Sequence, residues 1–185
     1  EANNTLSILL IRQGRAVDAL PHMARLARQG EQVNFPALLS GFGNLGAGQQ
    51  QALASGIHEL ALELPSNVQL LLTQAMVRAE MEEFDPALES LQQLFELEPH
   101  QSQAALLEAR ILLAQNAPRP YARLERILEE NPQDTQIRLQ YARLLTATDM
   151  SAAQTQFELL SEQSPRDGEL LLSLALVNRE TGDAD

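Results

Sequence analysis

Four prolines recur along this chain at a nearly constant spacing. Pro65, Pro99, Pro132 and Pro165 are separated by 34, 33 and 33 residues. Proline lacks a backbone N–H and clashes with the preceding helical turn, so each of these residues marks the end of a helix. A fixed period of this length predicts repeated helix pairs, each of which buries its apolar face only by stacking on its neighbours.

A small residue keeps the same period midway along the first helix of each pair. These residues follow one another at 34, 34, 34, 33 and 33: Ser7, Gly41, Ala75, Ala109, Ala142 and Ala175. Neighbouring helices approach closely only where the side chain between them is small. The sequence therefore predicts an all-α fold, an α-solenoid of five stacked antiparallel helix pairs followed by one unpaired C-terminal helix.

The period also divides the chain into units. The predicted units are 1–33, 34–67, 68–101, 102–134 and 135–167, with a partial unit at 168–185, in a single superhelical domain. We expect the chain to be a fragment of a longer repeat protein, with Leu170, Leu171 and Leu174 exposed on its unpaired last helix.

Local signals place the helices within these units. In the third unit, helices are predicted at 69–81 and 86–97, with Asp85 as the N-cap of the second. In the second unit, the first helix is predicted at 34–45 and is loosened by its interior glycines.

Within this period the chain resembles the tetratricopeptide-repeat family, and the resemblance covers nearly its whole length. The matching residues are Ala87 and Leu91 with Pro99, Ala153 and Phe157 with Pro165, and the turn glycines Gly14, Gly48 and Gly182. The chain has no tryptophan, whereas the family carries one in its first helix, so the resemblance is to a divergent member. It implies that first helices line a concave, partner-binding face.

Charge and composition restrict the function. The net charge is −12 and all 13 basic residues are arginine, which leaves no basic surface typical of binding to nucleic acids or anionic membranes. The longest apolar runs fall far short of the roughly 20 residues that span a bilayer. Without cysteine or lysine, and with no recognisable triad, the usual activated nucleophiles are missing. We therefore expect a protein that binds other proteins and is not an enzyme.

Three short patterns carry weaker signals. Residues 41–46 match G-x-G-x-x-G, but no predicted strand precedes them and the repeat already accounts for Gly41. His22, His58 and His100 do not lie at spacings typical of metal ligands. The acidic residues at 80–85 fall at a helix end and a turn, where solvated carboxylates are common. No cofactor or metal site is predicted.

The resemblance implies a row of candidate contacts on the first helices. The row consists of Leu38, Phe42, Leu72, Met76, Leu106, Arg110, Leu139, Arg143 and Leu172. Aliphatic side chains with two arginines suit an extended peptide or a helix that presents apolar side chains beside an acidic group. The alternative is that these leucines pack into the stack.

The favoured function is an adaptor that brings protein partners together. The acidic, cysteine-free units resemble tetratricopeptide lipoproteins of the Gram-negative envelope, some of which dock a periplasmic protease with its cell-wall hydrolase substrates. That resemblance implies the periplasmic side of the outer membrane, with the cytoplasm as the alternative. Two other functions stay open: a structural array that self-associates through its exposed terminal helices, and the regulatory part of a larger enzyme.

Overall fold

The computed structural model describes residues 2–182, and these residues form helices joined by short turns, with no strand. The α-helices are α1 Ala2–Arg12, α2 Ala16–Arg28, α3 Ala47–Glu63, α4 Val68–Glu80, α5 Phe84–Leu97, α6 Ser102–Ala114, α7 Ala122–Glu130, α8 Thr135–Leu145, α9 Met150–Gln163 and α10 Gly168–Thr181. Two 3-10 helices, Phe35–Leu39 and Phe42–Asn44, stand between α2 and α3 and are called the 3-10 pair below. The all-α prediction is confirmed.

The chain divides into two compact units, residues 1–104 (unit 1) and residues 105–185 (unit 2). In unit 1, α1 packs on α2, α2 on α3, α3 on α4 and α4 on α5. In unit 2, α7 packs on α8, α8 on α9 and α9 on α10. Short turns join all of these neighbours except α2 and α3, which the 3-10 pair separates, so most of these contacts are helix hairpins.

A polar residue two positions after each periodic proline starts the next first helix. The side-chain oxygen of each accepts a hydrogen bond from the backbone N–H three residues on: Asn67 from Leu70 at 3.0 Å, Gln101 from Ala104 at 2.6 Å, Asp134 from Ile137 at 2.9 Å and Asp167 from Leu170 at 3.2 Å. Such caps satisfy backbone donors that the helix itself leaves unpaired. Proline thus ends one hairpin and its neighbour two residues later begins the next.

Most of the periodic small residues lie between packed helices. Ser7, Ala75, Ala109 and Ala142 are buried, as predicted. Ala175 is exposed on α10. A further close approach, which the period does not indicate, occurs at Gly56 on α3, where a Cβ atom would lie 2.6 Å from the Leu20 side chain on α2.

The first helix of the second hairpin is the main difference from prediction. Instead of one α-helix over 34–45, the chain forms the 3-10 pair, which is interrupted at Gly41 with a φ of 82°. This left-handed conformation suits glycine and ends a right-handed helix. Gly48, predicted as a turn residue, lies inside the first turn of α3.

Two smaller predictions are also wrong. Glu83, not Asp85, is the N-cap of α5, and Asp85 lies in the first helical turn. Leu170 on α10 is buried, whereas it was predicted to be exposed. The exposed apolar residues of that helix are Leu171, Leu172 and Leu176, and Leu174 is half-buried. α10 packs on α9, and Leu170 is one of its two buried residues, with Val177.

Candidate partner-binding surfaces

The predicted row begins in unit 1 with residues that the structure buries. Leu38 and Leu72 have 0% and 1% of their surface exposed, because α4 packs directly against the first helix of the 3-10 pair. Their side chains therefore belong to the core and present no surface to a partner. For these two leucines, the alternative of packing into the stack describes the structure.

Phe42 and Met76 are the two residues of the row that unit 1 brings to one cavity. The cavity has a volume of about 170 Å³ and is also lined by Leu39, Gly41, Gly43 and Glu80. Phe42 is almost fully buried in the wall, whereas Met76 is half-buried and Glu80 is exposed. Its walls are thus mainly apolar, with a carboxylate at the opening.

In unit 2 the row lies on the accessible sides of α6, α8 and α10. Leu106 and Leu139 are half-buried, Arg110 and Arg143 are exposed, and Leu172 is 61% exposed. The Arg143 guanidinium lies 3.7 Å from the Glu169 carboxylate, which joins α8 to the first turn of α10. Because Leu139 precedes Arg143 by one helical turn and Leu172 follows Glu169 by about one turn, the two leucines flank this ion pair.

Arg110 differs from Arg143 in its electrostatic surroundings. Its side chain is exposed and has no ion pair or hydrogen bond within residues 2–182. A guanidinium has five N–H donors in a planar fork that matches a carboxylate. We call the set of accessible residues Leu106, Arg110, Leu139, Arg143 and Leu172 the arginine surface, of which the two arginines and Leu172 are exposed.

Another cavity, which lies in unit 2, is lined by both tyrosines of the chain. It has a volume of about 600 Å³, and its walls include the proline-rich turn 117–120. The Tyr121 and Tyr141 rings meet edge to face with centroids 5.4 Å apart. The Tyr121 hydroxyl donates to the Leu144 carbonyl at 3.3 Å and lies 2.6 Å from the Thr148 hydroxyl, while the Tyr141 hydroxyl donates to the Glu125 carboxylate at 3.1 Å. These bonds join α7 and its N-cap residue to α8 and to the turn that follows α8.

Burial and the Glu125 charge raise the pKa of Tyr141 well above its ordinary value of about 10. The folded protein therefore keeps this proton at a pH where the unfolded chain loses it. Its contribution to stability is complete below pH 10 and falls as the pH rises above 10. We expect urea unfolding midpoints to fall over this alkaline range, and to fall less in Tyr141→Phe. An equal fall in both proteins would contradict the assignment.

The remaining candidate clusters do not form a chemical site. The His58 ring nitrogen Nδ1 lies 3.0 Å from the Gln74 amide, and the structure does not bring His22 or His100 to it. In the acidic stretch 80–85, Glu83 pairs with Arg78. Within the described residues, no group of three acidic, histidine or cysteine side chains could hold a metal ion. Nor is any helix there long and apolar enough to cross a membrane.

The G-x-G-x-x-G pattern has a structural role in unit 1. Gly41 takes the left-handed conformation inside the 3-10 pair, and Gly46 precedes α3 as its N-cap. The Gly46 N–H donates to the Gln49 side chain at 3.3 Å, so a donor at this helix start already has a partner within the chain.

Helix hairpins repeated at 33 or 34 residues define the α-solenoid class of all-α folds. No protein-family model and no curated protein sequence matches the chain. Solved structures do match it, and they place it in a particular repeat fold, that of the tetratricopeptide-repeat proteins. The fold expected from the family resemblance is thereby confirmed.

Three of these structures show the extent of the likeness. A tetratricopeptide-repeat protein from Parabacteroides merdae has a TM-score of 0.63 at 20% identity, over 98% of this chain and 73% of its own. A thermophilic tetratricopeptide-repeat protein from Thermus thermophilus has a TM-score of 0.60 at 18% identity, over 95% of this chain and 97% of its own. YrrB, a tetratricopeptide-repeat protein with an unusual peptide-binding site, has a TM-score of 0.53 at 17% identity, over 82% of this chain and 77% of its own. At these identities the likeness is one of fold.

Proposed function

We propose that this protein is a non-enzymatic scaffold that binds partner proteins through the first helices of its hairpins. The observation that carries the proposal is the arginine surface of unit 2. There, Leu172 is 61% exposed beside Arg143, and Arg110 has no charged partner within the described residues. An exposed leucine costs the free protein hydrophobic solvation energy, and accessible arginines near exposed leucines are typical of a surface that binds another protein.

The chemistry of this surface favours an acidic partner segment with aliphatic side chains. The Arg143–Glu169 ion pair is long at 3.7 Å, and both side chains are well exposed, so it stabilises the fold little. A partner carboxylate can therefore take over the Arg143 guanidinium at small cost, while its apolar side chains cover Leu139 and Leu172. That YrrB has a peptide-binding site on the same fold supports an extended peptide as the form of the partner.

A narrower form of the proposal concerns the partners and the compartment. We infer from the resemblance to envelope lipoproteins that the protein acts on the periplasmic side of the outer membrane, where it recruits a processing protease to cell-wall hydrolases. The alternative compartment is the cytoplasm. This narrower form rests on the character of the sequence, since its acidic, cysteine-free repeats are the only feature that motivates it.

The decisive variant reverses the two arginines of the arginine surface. We expect Arg110→Glu with Arg143→Glu to weaken partner binding by about tenfold or more, because each reversal replaces attraction to an acidic segment by repulsion. The matched control is Arg126→Glu with Arg166→Glu, which changes the net charge equally at two exposed arginines outside the arginine surface. Binding is measured by affinity capture from envelope and cytosolic extracts with quantitative mass spectrometry, and then by calorimetry with the purified partner.

The outcomes separate the surface from the net charge. Loss of binding in the first variant alone supports the arginine surface. An equal loss in both variants would mean that total charge governs binding, and failure of the unmodified protein to bind any extract protein would overturn the scaffold proposal. Capture of a protease or a wall hydrolase only from the envelope extract supports the narrower form.

The second candidate function is self-association into a structural array. The exposed leucines of α10, with 45%, 61% and 46% of their surfaces accessible at Leu171, Leu172 and Leu176, favour it. Sedimentation velocity over a wide concentration range distinguishes the two functions, because self-association gives a mass that rises with concentration. A monomer mass that stays constant with concentration would exclude self-association and favour the scaffold function. The third alternative, a regulatory part of an enzyme, requires a catalytic domain elsewhere in the same polypeptide.

A further inference from the structure

The cavity of unit 1 lies where the repeat is interrupted. A regular first helix in the second hairpin would continue through residues 34–45, but the left-handed Gly41 divides this stretch into the 3-10 pair. Between the 3-10 pair and α4 the cavity of about 170 Å³ stays unfilled, with Leu39, Phe42 and Met76 in its wall. We call it the unit 1 cavity.

Its size and lining suit one aliphatic side chain. The cavity opens to solvent beside Glu80, so a side chain can enter it from outside. Apolar cavities hold water poorly and bind apolar groups instead. Gly43 contributes to the lining without a side chain, and a Cβ atom there would have no neighbour within 4 Å. Leucine or isoleucine of a partner would fill the space.

The charge at the opening specifies the group beside that side chain. Glu80 lines the cavity, is exposed and has no ion pair or hydrogen bond within residues 2–182. The nearby Arg78 is engaged by Glu83 and leaves Glu80 uncompensated. Unit 1 as a whole has five arginines against twelve aspartates and glutamates. The opening therefore attracts a cation.

We propose that the unit 1 cavity binds a leucine-sized side chain of an extended partner segment in which an adjacent residue is lysine or arginine. The proposal deepens the scaffold function and rests on it, but it concerns a site separate from the arginine surface. Leucine supplies the apolar contact with Phe42 and Met76, and the adjacent cation pairs with Glu80. The structure thus assigns a sequence preference to unit 1 that differs from the acidic preference of unit 2.

The test observes Met76 directly. The chain has four methionines, so protein labelled with ¹³C at the methionine methyl groups gives a short, assignable spectrum in which Met76 reports on the cavity and Met23 and Met150 serve as internal controls. Titration with N-acetyl-Leu-Arg-amide should shift the Met76 signal saturably, with a dissociation constant on the order of millimolar for so small a probe. Met23 and Met150 should not move.

Two further probes and three variants define the chemistry. N-acetyl-Ala-Arg-amide should bind about tenfold more weakly because it lacks most of the apolar contact. N-acetyl-Leu-Glu-amide should also bind more weakly than N-acetyl-Leu-Arg-amide, because its carboxylate is repelled by Glu80. Glu80→Gln should weaken the arginine probe about two- to fivefold, whereas Glu59→Gln, an exposed change on α3, should have no effect. Gly43→Leu should fill the cavity and abolish the shift.

Each result decides one part of the proposal. If Met76 fails to shift with any probe, or shifts equally in Gly43→Leu, the cavity is not a binding site. If the glutamate and arginine probes bind equally, the preference for a cation is wrong. Glu80→Gln is a surface change, so it tests the proposal even if Gly43→Leu does not fold. The arginine-surface variants test the scaffold function independently, so either proposal can fail while the other stands.

Discussion

Replacing Phe35 by alanine should lower the free energy of unfolding of unit 1 by about 3–5 kcal/mol, the usual cost of deleting a buried phenylalanine ring. Phe35 begins the 3-10 pair and has no exposed surface. Short 3-10 helices have poor hydrogen-bond geometry and little stability of their own. The 3-10 pair is therefore held to α2 and α4 by its buried side chains, Phe35, Leu38 and Phe42.

The control is Leu62→Ala on α3, where the leucine is 70% exposed and the change should stay within about 0.5 kcal/mol. Unfolding in urea is followed by circular dichroism, and by the methyl signal of Met23, which is buried in the same core cluster as Phe35. If Phe35→Ala costs no more than Leu62→Ala, the 3-10 pair is not docked on the core. The unit 1 cavity would then lose one of its walls.

The positions of most helices can be predicted from the sequence, because local cap residues reinforce the repeat period. α4 differs from its predicted bounds by a single residue at each end, and α5 ends at the predicted residue, Leu97. A cap residue two positions after each periodic proline explains this regularity, since it fixes where every later first helix begins. The recurring pattern of proline, any residue, then Asn, Gln or Asp is visible in the sequence and could have been used to predict these starts.

The stretch 34–45 shows how a period can mislead. The repeat predicts a helix there, whereas the interior glycines Gly41 and Gly43 oppose one locally. In the structure the local preferences prevail, because Gly41 adopts a left-handed conformation that no regular helix contains. The 3-10 pair still buries Leu38 and Phe42 against the rest of unit 1. The hairpin thus keeps its place in the repeat while its first helix is lost.

Burial along the predicted row could not be derived from the period. Leu72, Leu106, Leu139 and Leu172 occupy the same position of successive repeats, yet their exposure ranges from buried through half-buried to 61%. Spacing fixes the side of the helix on which a residue lies, whereas burial depends on what covers that side. Leu72 lies on α4, which the 3-10 pair covers, while nothing within the described residues covers Leu172. The spacing therefore predicts which residues share one side of their helices, but it does not predict which of them are accessible.

Ala142→Leu should destabilise unit 2 by about 1–3 kcal/mol through overpacking. Ala142 has no exposed surface and lies on α8, which packs against both α7 and α9. The three added carbon atoms have no free space, so either the neighbouring helices separate or side chains leave their preferred rotamers. Unfolding in urea, followed by circular dichroism and by the Met150 methyl signal, measures the loss.

Ala175→Leu is the matched control, because Ala175 occupies the same position one repeat later and is exposed on α10. Leucine and alanine both favour helix, so this change should stay within about 0.5 kcal/mol. A large difference between the two variants would show that close helix approach is what requires a small residue at this position. Equal losses of stability in the two variants would mean that leucine is unfavourable at this helix position whatever packs against it. The spacing of small residues would then carry no information about packing between repeats.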